Sequence, residues 1–241
     1  MLTHYHAVRV LGASAYNAQE IIMSQKTYEM VQERGKQDWA SEFERFPRLF
    51  RGHESIPGLT KPSITFKDTL TIDLGNKRVE IMHMGEGHTR GDSIVWVPDD
   101  KVLFAGDLVE YNATPYCGDA QLKKWPVTLQ KLSDLKPRAL VPGRGDALTS
   151  SIQCQEAIFN TSDYVTMLYN KALLSVSRGD TLKQCYDNLI AVMKPHFGNW
   201  VIFEHCMPFN VTRAFDEASG IGHPRIWTHE RDIEMWNELN S

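Results

Sequence analysis

Gly85 to Asp107 reads GEGHTRGDSIVWVPDDKVLFAGD, and this stretch decides the fold. Ser93 to Val97 and Val102 to Ala105 are apolar or β-branched runs joined by Pro98-Asp99-Asp100, the composition of a tight turn, so they predict a β-hairpin. At its entry Gly85, Gly87 and Gly91 surround His88, and glycine lets a backbone bend close to a bound group. At its exit Asp107 follows the second strand directly. A His and an Asp at the two ends of one hairpin can sit side by side, as two metal ligands or an acid/base pair would, or be no more than a strand-capping His and a turn Asp.

Outward on the N-terminal side, short alternating runs predict further strands over Ser63 to Phe66, Leu70 to Asp73 and Arg78 to Met82, with Gly75-Asn76 as a hairpin turn. Before them, Lys26 to Phe50 carries Tyr28, Met30, Val31, Trp39, Phe43, Phe46 and Leu49, a partly amphipathic pattern predicting a helix broken near Gly35. Glu20 to Met23 predicts a strand. At the start of the chain His4-Tyr5-His6 places two imidazoles at i and i+2, on one side of an extended segment, where they can grip one metal ion or form a plain surface pair.

Outward on the other side, Tyr111, Tyr116 and Trp125 follow Asp107 in a loop expected to border what Asp107 borders, or else to fill space. Gln121 to Leu135 predicts a helix interrupted at Pro126, and Ala139 to Val141 a short buried strand emptying into Pro142-Gly143-Arg144-Gly145. Helices are expected over Ala147 to Val176, Thr181 to Met193, Pro208 to Ala218 and Thr228 to Leu239. Within the second of these, Leu182, Cys185, Leu189 and Met193 make an apolar stripe. His205, Arg213, His223 and Trp227 are candidates for a pocket wall or a polar docking surface, and His53, His83, His196 and His229 have no motif around them.

The 241 residues, 42% apolar and 23% charged, suffice for one substantial core. A net charge of −4 with no basic run gives no sign of a nucleic-acid partner, and none is expected. Four widely spaced cysteines, Cys117, Cys154, Cys185 and Cys206, predict reduced thiols and a cytoplasmic protein. The first residues lack signal-peptide character, and no stretch approaches about 18 uninterrupted apolar residues, so no membrane span is expected.

Taken in order, His4-x-His6, Gly87-His88-Thr89, Phe104-Ala105-Gly106-Asp107 and Val141-Pro142-Gly143-Arg144-Gly145 resemble the motifs of the metallo-β-lactamase fold superfamily, over Thr3 to about Gly145. The resemblance implies an α+β fold, a four-layer αββα sandwich with its site at one edge of two packed sheets. It divides the chain into a core over 1–146 and a helical C-terminal part over 147–241, packed on the same domain. In the family several strands and a helix precede the first His motif, whereas Met1 stands three residues before His4. The resemblance therefore implies an N-terminally incomplete sandwich, with the remainder expected upstream of Met1.

Position by position, His4, His6 and His88 look like the three ligands of the family's first metal site, and Asp107 like the carboxylate that bridges two metals. The second-site ligands are replaced: Val8 and Arg9 stand where His-x-His-x-Asp-His has its last Asp and His, and Arg144 where Pro-Gly-His-Gly has its His. Arginine stays protonated and cannot ligate a metal. Arg9 and Arg144 supply roughly the charge of the missing ion and forked donors for an anion, or else pair structurally with Asp107. The resemblance thus implies a hydrolase with one zinc ion per chain, cleaving an ester, lactone, thioester or amide bond in a small anionic substrate. Asp107 would be the catalytic carboxylate and Arg9 and Arg144 the substrate clamp. The alternative is a non-catalytic member that binds an anion or metabolite; a homo-oligomer is compatible with either.

Overall fold

The computed structural model describes residues 1–56 and 58–241, and the side chain of Leu49, one of the apolar set above, lies outside the description. A short helix α1 (Ala7–Val10) leads to strand β1 (Ile22–Ser24), which pairs in parallel with β2 (Ile64–Phe66) to make a two-stranded sheet. Between these two strands lies a helical run: α2 (Gln25–Met30), a π turn over Val31–Gly35, and α3 (Lys36–Arg45). The break expected near Gly35 is absent. Gly35 ends a five-residue turn that absorbs one extra residue, and the helix continues, because a π turn keeps the backbone hydrogen-bonded where a break would not.

The larger sheet holds β3 (Thr69–Asp73), β4 (Arg78–Met82), β5 (Ile94–Val97), β6 (Val102–Gly106) and β7 (Ala139–Pro142), in that order. Its first three pairings are antiparallel and β6–β7 is parallel. The β3–β4 turn falls where Gly75-Asn76 predicts it, with Gly75 at φ +86° and its N–H donated to the Asp73 carboxylate at 2.8 Å. The β5–β6 hairpin brackets Pro98 to Lys101 as expected.

Alternation along the strands gives the large sheet two apolar faces. On one, Ile81 packs with Ile22 and Phe66 of the small sheet, and Leu70, Ile72 and Val95 close around them. On the other, Ile94, Trp96, Leu103, Ala105 and Leu140 pack beneath α4 (Trp125–Asp134) and α5 (Ser151–Arg178). Beyond the small sheet, Tyr5, Val10, Met23, Met30 and Val31 form a third cluster under α2 and the π turn. The layers are therefore helix, sheet, sheet, helix. Each fully buried aliphatic such as Leu103 or Leu140 contributes about 1.5–3 kcal/mol by leaving water.

Three further helices follow, α6 (Leu182–Phe197), α7 (Phe203–Ala218) and α8 (His229–Leu239), and their buried side chains join the same cluster as the strands. The start of α6 is a capping box in which Thr181 and Gln184 satisfy each other's backbone N–H. The start of α8 falls where expected, with Thr228 as its cap, whereas three other helix starts differ from expectation. Pro126 sits in the first turn of α4 rather than interrupting it, where the missing N–H has no helical partner to lose. The first residues after Ala147 stay extended, with Leu148 bridged to Leu140. Pro208 lies inside α7 instead of opening it. The carbonyl it leaves without a donor belongs to Glu204 in the exposed first turn, where water can replace the lost bond.

Candidate metal centre

His4 and His6 sit on the lead into α1, and His6 is the residue capping it, with extended backbone (φ −53°, ψ 141°) that keeps His4 and His6 on one side. His88 comes from the loop between β4 and β5, where a Cβ on Gly87 would lie 2.5 Å from Leu108 Cδ2 and 2.9 Å from Trp125 Cδ1. Glycine is thus what lets this loop press against the core and present His88. All three imidazoles are buried, and one nitrogen from each falls within 4.8 Å of the others. Ring centroids are 4.7–4.9 Å apart with planes at 83–90°, so the rings converge edge-on instead of stacking.

The outward nitrogens are each held. His4 Nδ1 lies 3.0 Å from Thr3 Oγ1, His6 Nε2 2.9 Å from Asp119 Oδ2, and His88 Nδ1 2.9 Å from the Tyr116 carbonyl. Such outer contacts fix the tautomer and leave His4 Nε2, His6 Nδ1 and His88 Nε2 facing one point. His88 Nε2 and His6 Nδ1 are 3.0 Å apart, and His4 Nε2 is buried with no hydrogen-bond partner. A buried nitrogen without a partner is costly, and a metal ion among three imidazoles relieves it. The donor set fits zinc.

Protonation favours the same use. Burial drives the pKa of His4 well below its ordinary value, and burial together with His6 brings His88 down to about 3, so both are neutral near pH 7. His6 moves the other way: burial lowers it, but the Asp119 carboxylate outweighs burial and raises it.

Asp107 leaves the end of β6 beside a bulge, with Gly106 at φ +55°. Its Oδ2 lies 3.9 Å from His4 Nε2 and 3.8 Å from His88 Nε2. Arg9 Nη2 donates to Oδ1 at 2.6 Å, and Arg144 Nη1 donates to Oδ2 at 3.0 Å and to Glu110 Oε1 at 2.5 Å. Burial works against ionising Asp107, yet His4, His88, Arg144 and Arg9 outweigh it and hold the carboxyl well below the usual range. At Gly143 a Cβ would stand 2.7 Å from Asp107 Cα, so this glycine is what lets the loop carrying Arg144 close on Asp107.

All six sequence candidates, His4, His6, His88, Asp107, Arg9 and Arg144, therefore meet in one place, and the guanidiniums are engaged by Asp107. Both remain about one-third exposed at 34% and 33%. Val8, 64% exposed, lines both the cavity holding Arg9 and Asp107 and the cavity holding His6 and Arg144, and offers no donor to either. Of the C-terminal candidates, His205 and Trp227 line a cavity beside His6, whereas Arg213 is fully buried and ties the Ala120 and Ile221 carbonyls, and His223 pairs with Glu33 at the surface. Sequence reasoning missed Asp119, which is buried 113 residues from His6 and is anchored in turn by Arg34 at 2.9 Å. A lone Gly-Asp in a loop has no ligand spacing, and only its nearness to the Asp107 loop points to it.

The profile of the Metallo-beta-lactamase superfamily matches residues 1–144, and the chain belongs to that superfamily, a class of metal-binding, hydrolase-like proteins. It is 35% identical over 94 residues to a metallo-beta-lactamase type 2 of Bacteroides fragilis, covering 37% of this chain and 38% of that one. It is 33% identical over 86 residues to the acyl-coenzyme A thioesterase MBLAC2 of Bos taurus, covering 34% of this chain and 29% of that one. The matched stretches thus span well under half the length of these relatives. Among solved structures, a metallo-beta-lactamase from Pontibacter korlensis superposes with a TM-score of 0.52 at 24% identity, over 68% of this chain and 67% of the other, a likeness of fold. Among the described residues no helix is long and apolar enough to cross a membrane.

Proposed function

We propose that this chain is a hydrolase that works with a single zinc ion and cleaves an ester, lactone, thioester or amide bond in a small anionic substrate. The observation that carries the reading is the convergence of three buried imidazoles with their far nitrogens held, beside a second-site corner filled by Arg9 and Arg144. When bound by His4, His6 and His88, zinc supplies a Lewis acid and brings the pKa of water down to about 7. Asp107 accepts a hydrogen bond from the attacking water and orients it. A carboxyl held so far below the usual range is a weak base, so positioning outweighs proton storage in its role. Arg9 and Arg144 keep N–H donors beyond those given to Asp107, and from a one-third-exposed position they can hold an anionic group or a developing oxyanion. The four free, buried thiols support a cytoplasmic location.

A second reading, a non-catalytic binder of an anionic metabolite, is favoured by one observation, that both guanidiniums already contact Asp107. Metal analysis separates the two. Purified protein equilibrated with zinc at neutral pH should hold one equivalent, His88→Ala should hold almost none, and Val8→Asp with Arg9→His and Arg144→His should move toward two. No zinc in the wild-type protein would leave the binder, and two equivalents would remove the single-metal reading.

A further inference from the structure

Beside His6 lies a cavity of about 150 Å³, walled by Tyr116, Phe209 and Trp227 and floored by the α3 side chains Asp38 and Glu42. That volume suits a small organic group, since a cavity of about 150 Å³ accepts benzene. Asp38 and Glu42 are four residues apart and so share one helix face. Asp38 is 5% exposed, and its Oδ2 is buried without a hydrogen-bond partner.

The charges around this cavity do not balance. Arg144 is engaged by Asp107 and Glu110, Arg45 Nη1 lies 3.3 Å from Asp232 Oδ2, and Asp119 is engaged by His6 and Arg34. Among the described residues, Asp38 and Glu42 are the lining carboxylates with no side-chain partner within ion-pair or hydrogen-bond distance. A carboxylate that deep is costly when ionised, which is why burial pushes Asp38 up to about 7 and raises Glu42, and a group with donors and positive charge in the space would stabilise the ionised form instead. A divalent metal would need more oxygen ligands than two carboxylates provide. An alkylammonium brings three N–H donors and one positive charge, and its carbon chain suits the aromatic walls.

We propose that this cavity receives the protonated amine of the substrate, with Asp38 and Glu42 accepting the ammonium N–H groups while Arg144, lining the same cavity, faces the anionic end. The substrate class is then zwitterionic: an ester, thioester or amide with an ammonium group on one side of the scissile bond and an acidic group on the other. This specificity rests on the hydrolase reading above, whereas the ammonium site is testable without turnover.

The test is calorimetric titration of the zinc-equilibrated protein with n-butylammonium chloride and, separately, with 1-butanol. The ammonium should bind about 10-fold or more tightly than the alcohol, the effect of one charge-assisted contact. Asp38→Asn with Glu42→Gln should erase that difference, since both changes keep shape and remove charge. Should the double variant fail to fold, Glu42→Gln alone, at a half-buried position, should still weaken butylammonium binding severalfold. Equal binding of amine and alcohol, or amine binding unchanged in these variants, overturns the proposal. Zinc content measured on the same samples keeps the two readings apart: amine selectivity in a protein that holds no zinc would leave the ammonium site standing and the hydrolase reading fallen.

Discussion

Asp119 Oδ2 lies 2.9 Å from His6 Nε2, and that contact turns the opposite ring nitrogen toward His88 Nε2 at 3.0 Å. The carboxylate sets both which nitrogen of His6 is free and where it points. Asp119→Asn keeps the shape but can present an amide N–H to the wrong nitrogen. Zinc affinity should fall about 10-fold to 100-fold, the usual effect of losing an outer partner, in competition with a chromophoric chelator at pH 7. An unchanged dissociation constant would show that His6 is oriented by packing alone.

Acid should weaken the metal-free protein through His88. Its pKa is about 3 when folded and near 6.5 when unfolded, burial being the main cause. Between those values the unfolded chain binds the extra proton, so stability is intact above about pH 6.5 and falls as pH drops toward about 3. Asp38 and Asp92, both pushed up to about 7 chiefly by burial, act in the opposite sense. The informative quantity is therefore the difference between wild type and His88→Gln in urea midpoints across that window. The variant should show the shallower loss in acid, and parallel curves would mean that His88 is solvated enough to titrate normally.

Arg144 holds two carboxylates with one nitrogen, and Glu110 is fully buried with its second oxygen unpartnered. Removing the guanidinium leaves charge inside the protein. Arg144→Ala should cost about 3 kcal/mol of unfolding free energy, with zinc content unchanged, and adding Glu110→Gln should recover part of the loss. A cost below about 0.5 kcal/mol, the level of an exposed pair, would mean that Glu110 is neutral and Arg144 free to serve a ligand alone.

The strands were largely legible because each half of a hairpin carries its own evidence. Ile94 to Val97 and Val102 to Gly106 alternate around a turn of Pro and Asp, and Gly75-Asn76 names its turn outright. The three imidazoles were legible through spacing and order. What the chain did not disclose lies in contacts between distant segments. Asp119 meets His6 across 113 residues, and α3 brings Asp38 and Glu42 to the cavity from a stretch whose sequence pattern shows only a partly amphipathic helix. Proline misled at Pro126 and Pro208, and α6 runs on past the expected end at Met193 through Pro195, because proline's penalty depends on whether the carbonyl one turn back needs that N–H, which only the fold decides.

The π turn at Val31–Gly35 makes the length of this segment a matter of recognition. Each residue of an α-helix advances the chain by about 100° around its axis, so deleting one position here would let the turn close as ordinary α-helix and rotate all that follows by that angle. Ser41, which donates to the Trp227 carbonyl, and Arg45, which reaches Asp232, tie α3 to the C-terminal region and resist such a rotation. A lineage could therefore exchange the carboxylates facing the cavity for another pair of side chains by losing one codon, provided those two ties changed with it, while the imidazoles stayed where they are.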